Sequence, residues 1–261
     1  MHEKGILNFS FNIMEHDIKL KVLSSYQQSQ YMRGTVYVVS SIGTTEKVSV
    51  IYFQKSGEFK ETEFERAKIL TNHYLSKLKN IKIHPVLITQ LILTLMNASL
   101  VFHYDKSDRH PEAKFHTAFF RFNTLIKTFT NISLNVDDKY KKPKEFKKSQ
   151  VLSGLWRKHV EDASLSGLAQ NIRMSNKRNG WLVQKCKEEF GVYDASKINE
   201  RKLDEFIRDQ MFNKGLTRRQ NKRRMTGEWL IFDKTEKGIH FLTLASHQEN
   251  DERIMARITG N

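Results

Sequence analysis

Apolar and polar residues alternate in two short runs near the start of the chain, LNFSFNI at 7–13 and IKLKV at 18–22. Alternation with period two sends successive side chains to opposite faces, the pattern of a half-buried strand. The polar residues 15–17 between the runs predict a turn. A second pair, GTVYVVSSI and KVSVIYF, flanks Gly43-Thr44-Thr45. The first sixty residues therefore predict an antiparallel sheet of about four strands.

The period then changes. Phe64, Ala67, Leu70, Tyr74, Leu75 and Leu78 recur at helical spacing and predict a helix with one apolar stripe. The segment IHPVLITQLILTLMNASLVFHY, 83–104, contains no Lys, Arg, Asp or Glu. Its Thr89, Gln90, Thr94, Asn97 and Ser99 would be costly in lipid, so it predicts a buried core helix after Pro85 rather than a membrane span. Pro111 suits the first turn of a further helix running through EAKFHTAFFRFNTLIKTF.

The stretch DDKYKKPKEFKKSQ, 137–150, is charged, holds Pro143 and lacks a stripe. It predicts a linker or exposed loop. Two helices should follow. One is WLVQKCKEEF, closed by Gly191, and the other places Leu203, Phe206, Ile207 and Met211 on one face and stops at Gly215. The chain ends in a predicted strand (229–232), turn (234–238), strand (239–244) and a helix, ENDERIMARI, whose acidic start complements the helix dipole. The expected fold is α+β. An N-terminal antiparallel sheet with a helical block occupies 1–136, a basic linker 137–150, and a basic helical region with a C-terminal β-hairpin plus helix 151–261.

With 39% hydrophobic residues and 17 Phe among 261, the chain has enough apolar material for a real core. The formal net charge is +15. It is uneven: residues 139–224 hold 23 Lys and Arg against 10 Asp and Glu, an excess of 13. Charge of this size selects partners, and phosphate polymers are the usual ones. The single cysteine, Cys186, excludes an intrachain disulfide and a Cys-based zinc site, and a reducing compartment fits. The N-terminus shows no apolar leader or small-residue cleavage site, so a cytoplasmic protein with no membrane partner is expected. No Walker A, GxGxxG, HExxH, GxSxG or CxxC pattern occurs. No cofactor and no metal are expected. Glu61, Glu63 and Glu65 alternate, but helical periodicity puts them on an exposed face, which argues against a metal-dependent nuclease.

The densest basic element is TRRQNKRRMTGEW, 217–229, where Arg218, Arg219, Lys222, Arg223 and Arg224 fall within seven residues. Thr217 followed by Gln220 fits a capping box. No acid lies between Lys214 and Gly227 to neutralise the run, and Arg forks match phosphate geometry. Each tryptophan adjoins cations: Trp156 precedes Arg157 and Lys158, Trp181 follows Lys177 and Arg178, and Trp229 follows the basic run. Each also begins or ends an apolar run, so core packing is the first expectation for any one ring. The cations are candidate nucleic-acid contacts. RRQNKRR has no apolar residue with which to dock a recognition helix, which favours RNA over DNA. A non-enzymatic winged-helix DNA-binding protein, with the C-terminal hairpin as wing, is the alternative. A scaffold for an acidic protein is a third.

RHPEAKFH, 109–116, resembles the arginine–x(4–6)–histidine signature of the HEPN helical ribonucleases. Its gap of six is the longest the signature takes, and His110 stands where Asn or Asp is usual. The resemblance implies metal-free cleavage, with Arg109 and His116 acting on the RNA 2′-hydroxyl and the scissile phosphate. The helix–hairpin–helix ending resembles the small toxin-type ribonucleases of the barnase class. That likeness implies His240 and His247 as acid–base residues. Their separation of seven puts them on opposite strand faces unless the chain bends at Ala245-Ser246. The sharper expectation is thus a metal-independent ribonuclease of toxin or phage-defence type, with Arg109, His116, His240 and His247 as candidate catalytic residues.

Overall fold

The computed structural model describes residues 6–14, 16–23, 32–55, 59–78, 81–102, 114–115, 119–134, 142–160, 181–191, 200–214, 217, 228–236, 238–246 and 249–260. The alternating runs form the expected strands. β1 (Ile6–Ile13), β2 (His16–Leu23), β3 (Met32–Val39) and β4 (Thr45–Gln54) pair in sequence order as an antiparallel meander. Within β2, Ile18, Leu20 and Val22 are at most 1% exposed while Asp17 and Lys19 face out. The turn between β3 and β4 needs left-handed backbone at Gly43, φ 81°, and closes through Gly43 N–H to Ser40 O at 2.9 Å.

α1 (Glu61–Leu75) buries Phe64, Ala67, Thr71 and Leu75, the stripe's one face. Phe64 stacks on Phe9 of β1 at 4.3 Å between centroids and meets Phe11 edge-on at 5.4 Å. Glu63 is held by Lys55 and Glu65 by Lys68, so these acids serve ion pairs. β5 (Ile81–Ile83) leads into α2 (Pro85–Leu95), whose residues 85–94 are all buried. Helix α2 packs against α1 and against β2, β3 and β4. Its polar side chains are satisfied inside the protein: Thr89 donates to Pro85 O at 3.0 Å and Thr94 to Leu91 O at 2.8 Å. An uncharged helix can therefore be enclosed by protein on all sides. No helix among the described residues is long and apolar enough to cross a membrane.

β6 (Ser99–Val101) adds to β4, and β7 (Lys114–Phe115) adds to β6, completing a six-stranded sheet. The helix expected to run on from Pro111, which lies outside the described residues, is not continuous through 114–115. α3 spans Phe119–Ser133. Lys114 and Phe115 instead pair with Val101 and Leu100, because sheet pairing outweighs local helix preference.

Five strands form a second sheet in the order β5-β11-β10-β9-β8, with β8 (Lys144–Glu145), β9 (Trp156–Val160), β10 (Glu228–Thr235) and β11 (Gly238–Ala245). All its pairings are antiparallel except β11 with β5. The C-terminal hairpin of β10 and β11 is thus flanked on both sides. Leu230, Ile231, Phe232, Phe241, Leu244 and Ala245 are 0% exposed. The tip of the hairpin differs: Lys234, Thr235 and Glu236 are exposed. Leu230, Phe232 and Phe241 join α2 in the main core, while Ile231, Leu242 and Ala245 build a smaller one with Phe146 and Leu152.

Contacts divide the chain into two units. Unit 1 comprises 1–136, 142–164 and 227–261, and unit 2 comprises 137–141 and 165–226. This differs from a linear division at 137–150. Residues 142–164 and the C-terminal hairpin fall in one unit with 1–136, where β8 to β11 share a sheet with β5.

In unit 2, α4 (Trp181–Phe190) ends at Gly191, φ 67°, as expected. α5 (Glu200–Arg208) continues into a π-helical turn, Asp209–Lys214. Phe190 meets Phe206 edge-on at 5.3 Å. In unit 1, α6 (Asp251–Thr259) adds Ile254 to the smaller core. Asn250 caps it by accepting Glu252 N–H at 2.7 Å.

Candidate functional site

His84 stands immediately before Pro85, at the N-cap of α2. Its Nδ1 accepts the Val86 N–H at 3.3 Å, and Pro85 fills the first helical position, where no amide donor is needed. Accepting at Nδ1 puts the neutral ring's proton on Nε2. The His84 backbone N–H donates to Phe241 O at 2.8 Å, which ties the cap to β11. The preceding residue, His240, brings its ring to 6.0 Å from the His84 ring between centroids. His240 lies opposite Lys82 on β5 and Asp233 on β10. His16, the first residue of β2, is close enough to act electrostatically on both rings.

Burial is the main force on these histidines. It pushes His84 down from its ordinary 6.5 to about 4, with His240 and then His16 adding repulsion. His240 is also lowered, first by burial; Asp233 opposes this while Lys82 and His16 reinforce it. Both rings are therefore biased toward the neutral form.

This bias makes folding pH-dependent. Between 6.5 and about 4, the unfolded chain holds a proton on residue 84 that the folded chain refuses. The stability from the neutral ring is complete above 6.5 and is lost as pH falls toward the folded value, about 3 kcal/mol in all. His84→Asn keeps a capping acceptor but cannot titrate in this range. Between pH 7 and pH 4 the wild type should lose about 3 kcal/mol more than His84→Asn, measured as urea unfolding free energies. Parallel losses would show that His84 is not the group responsible.

The two rings combine a fixed Nε2 donor with a half-buried imidazole flanked by an acid and an amine. Such a set can hydrogen-bond a phosphate or hydroxyl oxygen and move a proton. Among the described residues no group of three or more His, Cys, Asp or Glu is arranged to hold a metal ion.

Of the expected site residues, His240, Arg157 and Lys158 fall where the structure can place them. Arg109, His116, His247, Lys177, Arg178, Arg218, Arg219, Lys222, Arg223 and Arg224 lie outside the described residues. His240 is in a titratable cluster, with His84 and His16 as neighbours. Lys158 lies opposite Leu230, on the sheet's core side, and is 3% exposed. Its ammonium does not face a polymer lying on the surface, which removes Lys158 from the contacts expected of it. Arg157 points to the other face, where its guanidinium lies 4.6 Å over Phe146 and 4.4 Å over Trp229. Burial lowers its pKa, opposed by Asp251. Arg157 thus packs against both rings, which meet edge-on at 5.5 Å, and Trp229 serves the smaller core, as expected for a tryptophan opening an apolar run.

Sequence reasoning missed His84 and His16. The signal for His84 was present: a polar residue directly before a proline that opens a helix occupies the N-cap. Its nearness to His240, 156 positions later, depends on parallel pairing of β5 with β11 and has no local signature. Family models, curated proteins and solved structures gave no match to the chain.

Proposed function

We propose that the protein binds nucleic acid, with RNA favoured over DNA. The observation that carries this reading is the distribution of charge between the units. Unit 2 holds 17 Lys and Arg against 9 Asp and Glu, an excess of eight in 67 residues; unit 1 holds 27 against 20, an excess of seven in 194. Several acids of unit 2 are already matched within its helices: Glu188 with Lys185, Glu205 with Arg201, Asp204 with Arg208 and Asp209 with Lys214. The basic run 218–224 has no acid beside it in sequence.

The pairing of His84 with His240 favours a second reading, a metal-independent ribonuclease of toxin or phage-defence type. One panel tests both. Single-stranded RNA, single-stranded DNA and duplex DNA are each titrated with the protein at low salt, and RNA is then incubated with it in chelator. RNA should bind tightest. Absence of binding to all three polymers would sink the first reading. Cleavage that persists in chelator and is lost in His84→Asn and His240→Ala would carry the second; intact RNA would end it.

A further inference from the structure

β1 is an outer strand of the six-stranded sheet, with β2 on one side and no described strand on the other. Alternate residues of an antiparallel strand turn their N–H and C=O groups away from the neighbour, so half of β1's backbone points to an open edge. An open edge is a template for a further strand unless something blunts it. The other three sheet edges are blunted. β5 has three residues and β7 and β8 two each, and each carries a lysine: Lys82, Lys114 and Lys144. β1 has eight residues, no charge, no proline and an unbroken register with β2.

The order of its side chains adds a second observation. Residues 8–12 read Asn-Phe-Ser-Phe-Asn, a palindrome centred on Ser10, and Leu7 and Ile13 extend it by an apolar residue at each end. Phe9, Phe11 and Ile13 are buried on the core side, while Asn8, Ser10 and Asn12 are exposed on the other. Leu7 falls on the core side by the same alternation, yet it is 37% exposed. Residues directly opposite in an antiparallel pair share a face. A strand that reads alike in both directions can therefore pair with its own copy, each residue meeting its own kind.

We infer that two copies of the chain join edge to edge through β1, antiparallel about a two-fold axis at Ser10. Ser10 lies opposite the partner's Ser10, Phe9 opposite the partner's Phe11 and Asn8 opposite the partner's Asn12. Leu7 lies opposite the partner's Ile13, which covers the apolar side chain that one copy alone leaves exposed. A strand from a different protein would need no palindrome; the symmetry selects a second copy.

The net charge of +15 opposes self-association in general, but it does not gather at this edge. β2 sets Lys21 beside Asn8, Lys19 beside Ser10 and Asp17 beside Asn12. Across the axis, Lys21 shares a row with the partner's Asp17, and Lys19 with the partner's Lys19. Each row spans three strand spacings, about 14 Å. That exceeds the screening length of about 8 Å at physiological salt, so the two lysines repel little. Neither RNA binding nor catalysis is required for the pairing.

Sedimentation equilibrium of the full chain over a roughly hundredfold range of concentration should show a reversible monomer–dimer equilibrium. Ser10→Lys sets two cations face to face at the axis, on the exposed side of the strand, and should raise the dissociation constant at least about tenfold. In a Cys186→Ser background, Ser10→Cys puts two thiols opposite each other within disulfide reach and should cross-link on mild oxidation. Asn12→Cys, on the same exposed face but about 14 Å from its counterpart, should not. A monomer throughout the range would overturn the inference and leave the edge to a strand of another protein. A dimer that Ser10→Lys leaves equally tight, or equal cross-linking of the two cysteine variants, would overturn it as well.

Discussion

Raising monovalent salt from about 50 to about 200 mM should weaken binding to single-stranded RNA about 10³-fold. The estimate comes from the charge of unit 2. If its excess of eight cations engages roughly as many phosphates, each releases about 0.7 counterion from a single strand. The logarithmic slope is then about −6, and a fourfold change in salt gives the stated loss. Fluorescence anisotropy of a labelled RNA across that range measures it. Replacing Arg218, Arg219, Lys222, Arg223 and Arg224 together by Gln should make the slope shallower by about 3 to 4. A slope near zero in the wild type would mean that phosphates are not the contact. A normal slope in the Gln variant would move the contact away from 218–224.

Arg257→Met should cost about 3–5 kcal/mol of stability, read as a shift in the urea unfolding midpoint. The loss comes less from the missing attraction than from what remains. Glu249, 1% exposed, would be left buried without the cation that pairs with it, and Leu244 O would lose a donor at 2.7 Å. The double variant Arg257→Met/Glu249→Leu removes both charges and should recover most of the loss. If the single variant costs under about 1 kcal/mol, the pair is better solvated than its burial indicates. If the double variant is no better than the single, the cost lies in packing against Phe102 and Thr243 rather than in the stranded carboxylate.

Much of unit 1 was legible in advance. Alternation set β1 and β2, because a half-buried strand must present opposite faces to core and solvent, and the turn residues 43–45 set the pair β3 and β4. The uncharged run after Pro85 gave α2, and the absence of charge correctly indicated burial on all sides. The stripe from Phe64 gave α1, and Gly191 marked the end of α4. These are local signals, each read within a few turns or one strand. The helix expected through 114–115 is broken there because Lys114 and Phe115 pair with β6, a demand set by that strand rather than by their own preferences.

The candidate site was less legible. His240 was singled out, but its neighbours were not those proposed from the sequence. His16, His84 and Asp233 come from other strands and a helix cap, assembled by β5 pairing with β11 and by α2 starting at that junction. Arg157 and Lys158 look alike as adjacent cations, yet the pleat sends one against two aromatic rings and the other to the core side of the sheet. Glu249 and Arg257 read as ordinary charges of a terminal helix until β11 and Gln90 enclose them. The sequence by itself determined the repeat of each element, the size of the core and the excess of positive charge, because period and composition are properties of neighbouring residues. Only the tertiary structure decided which charges are buried and which histidines meet, because those depend on pairings between strands far apart in the chain, such as β9 with β10 and β5 with β11.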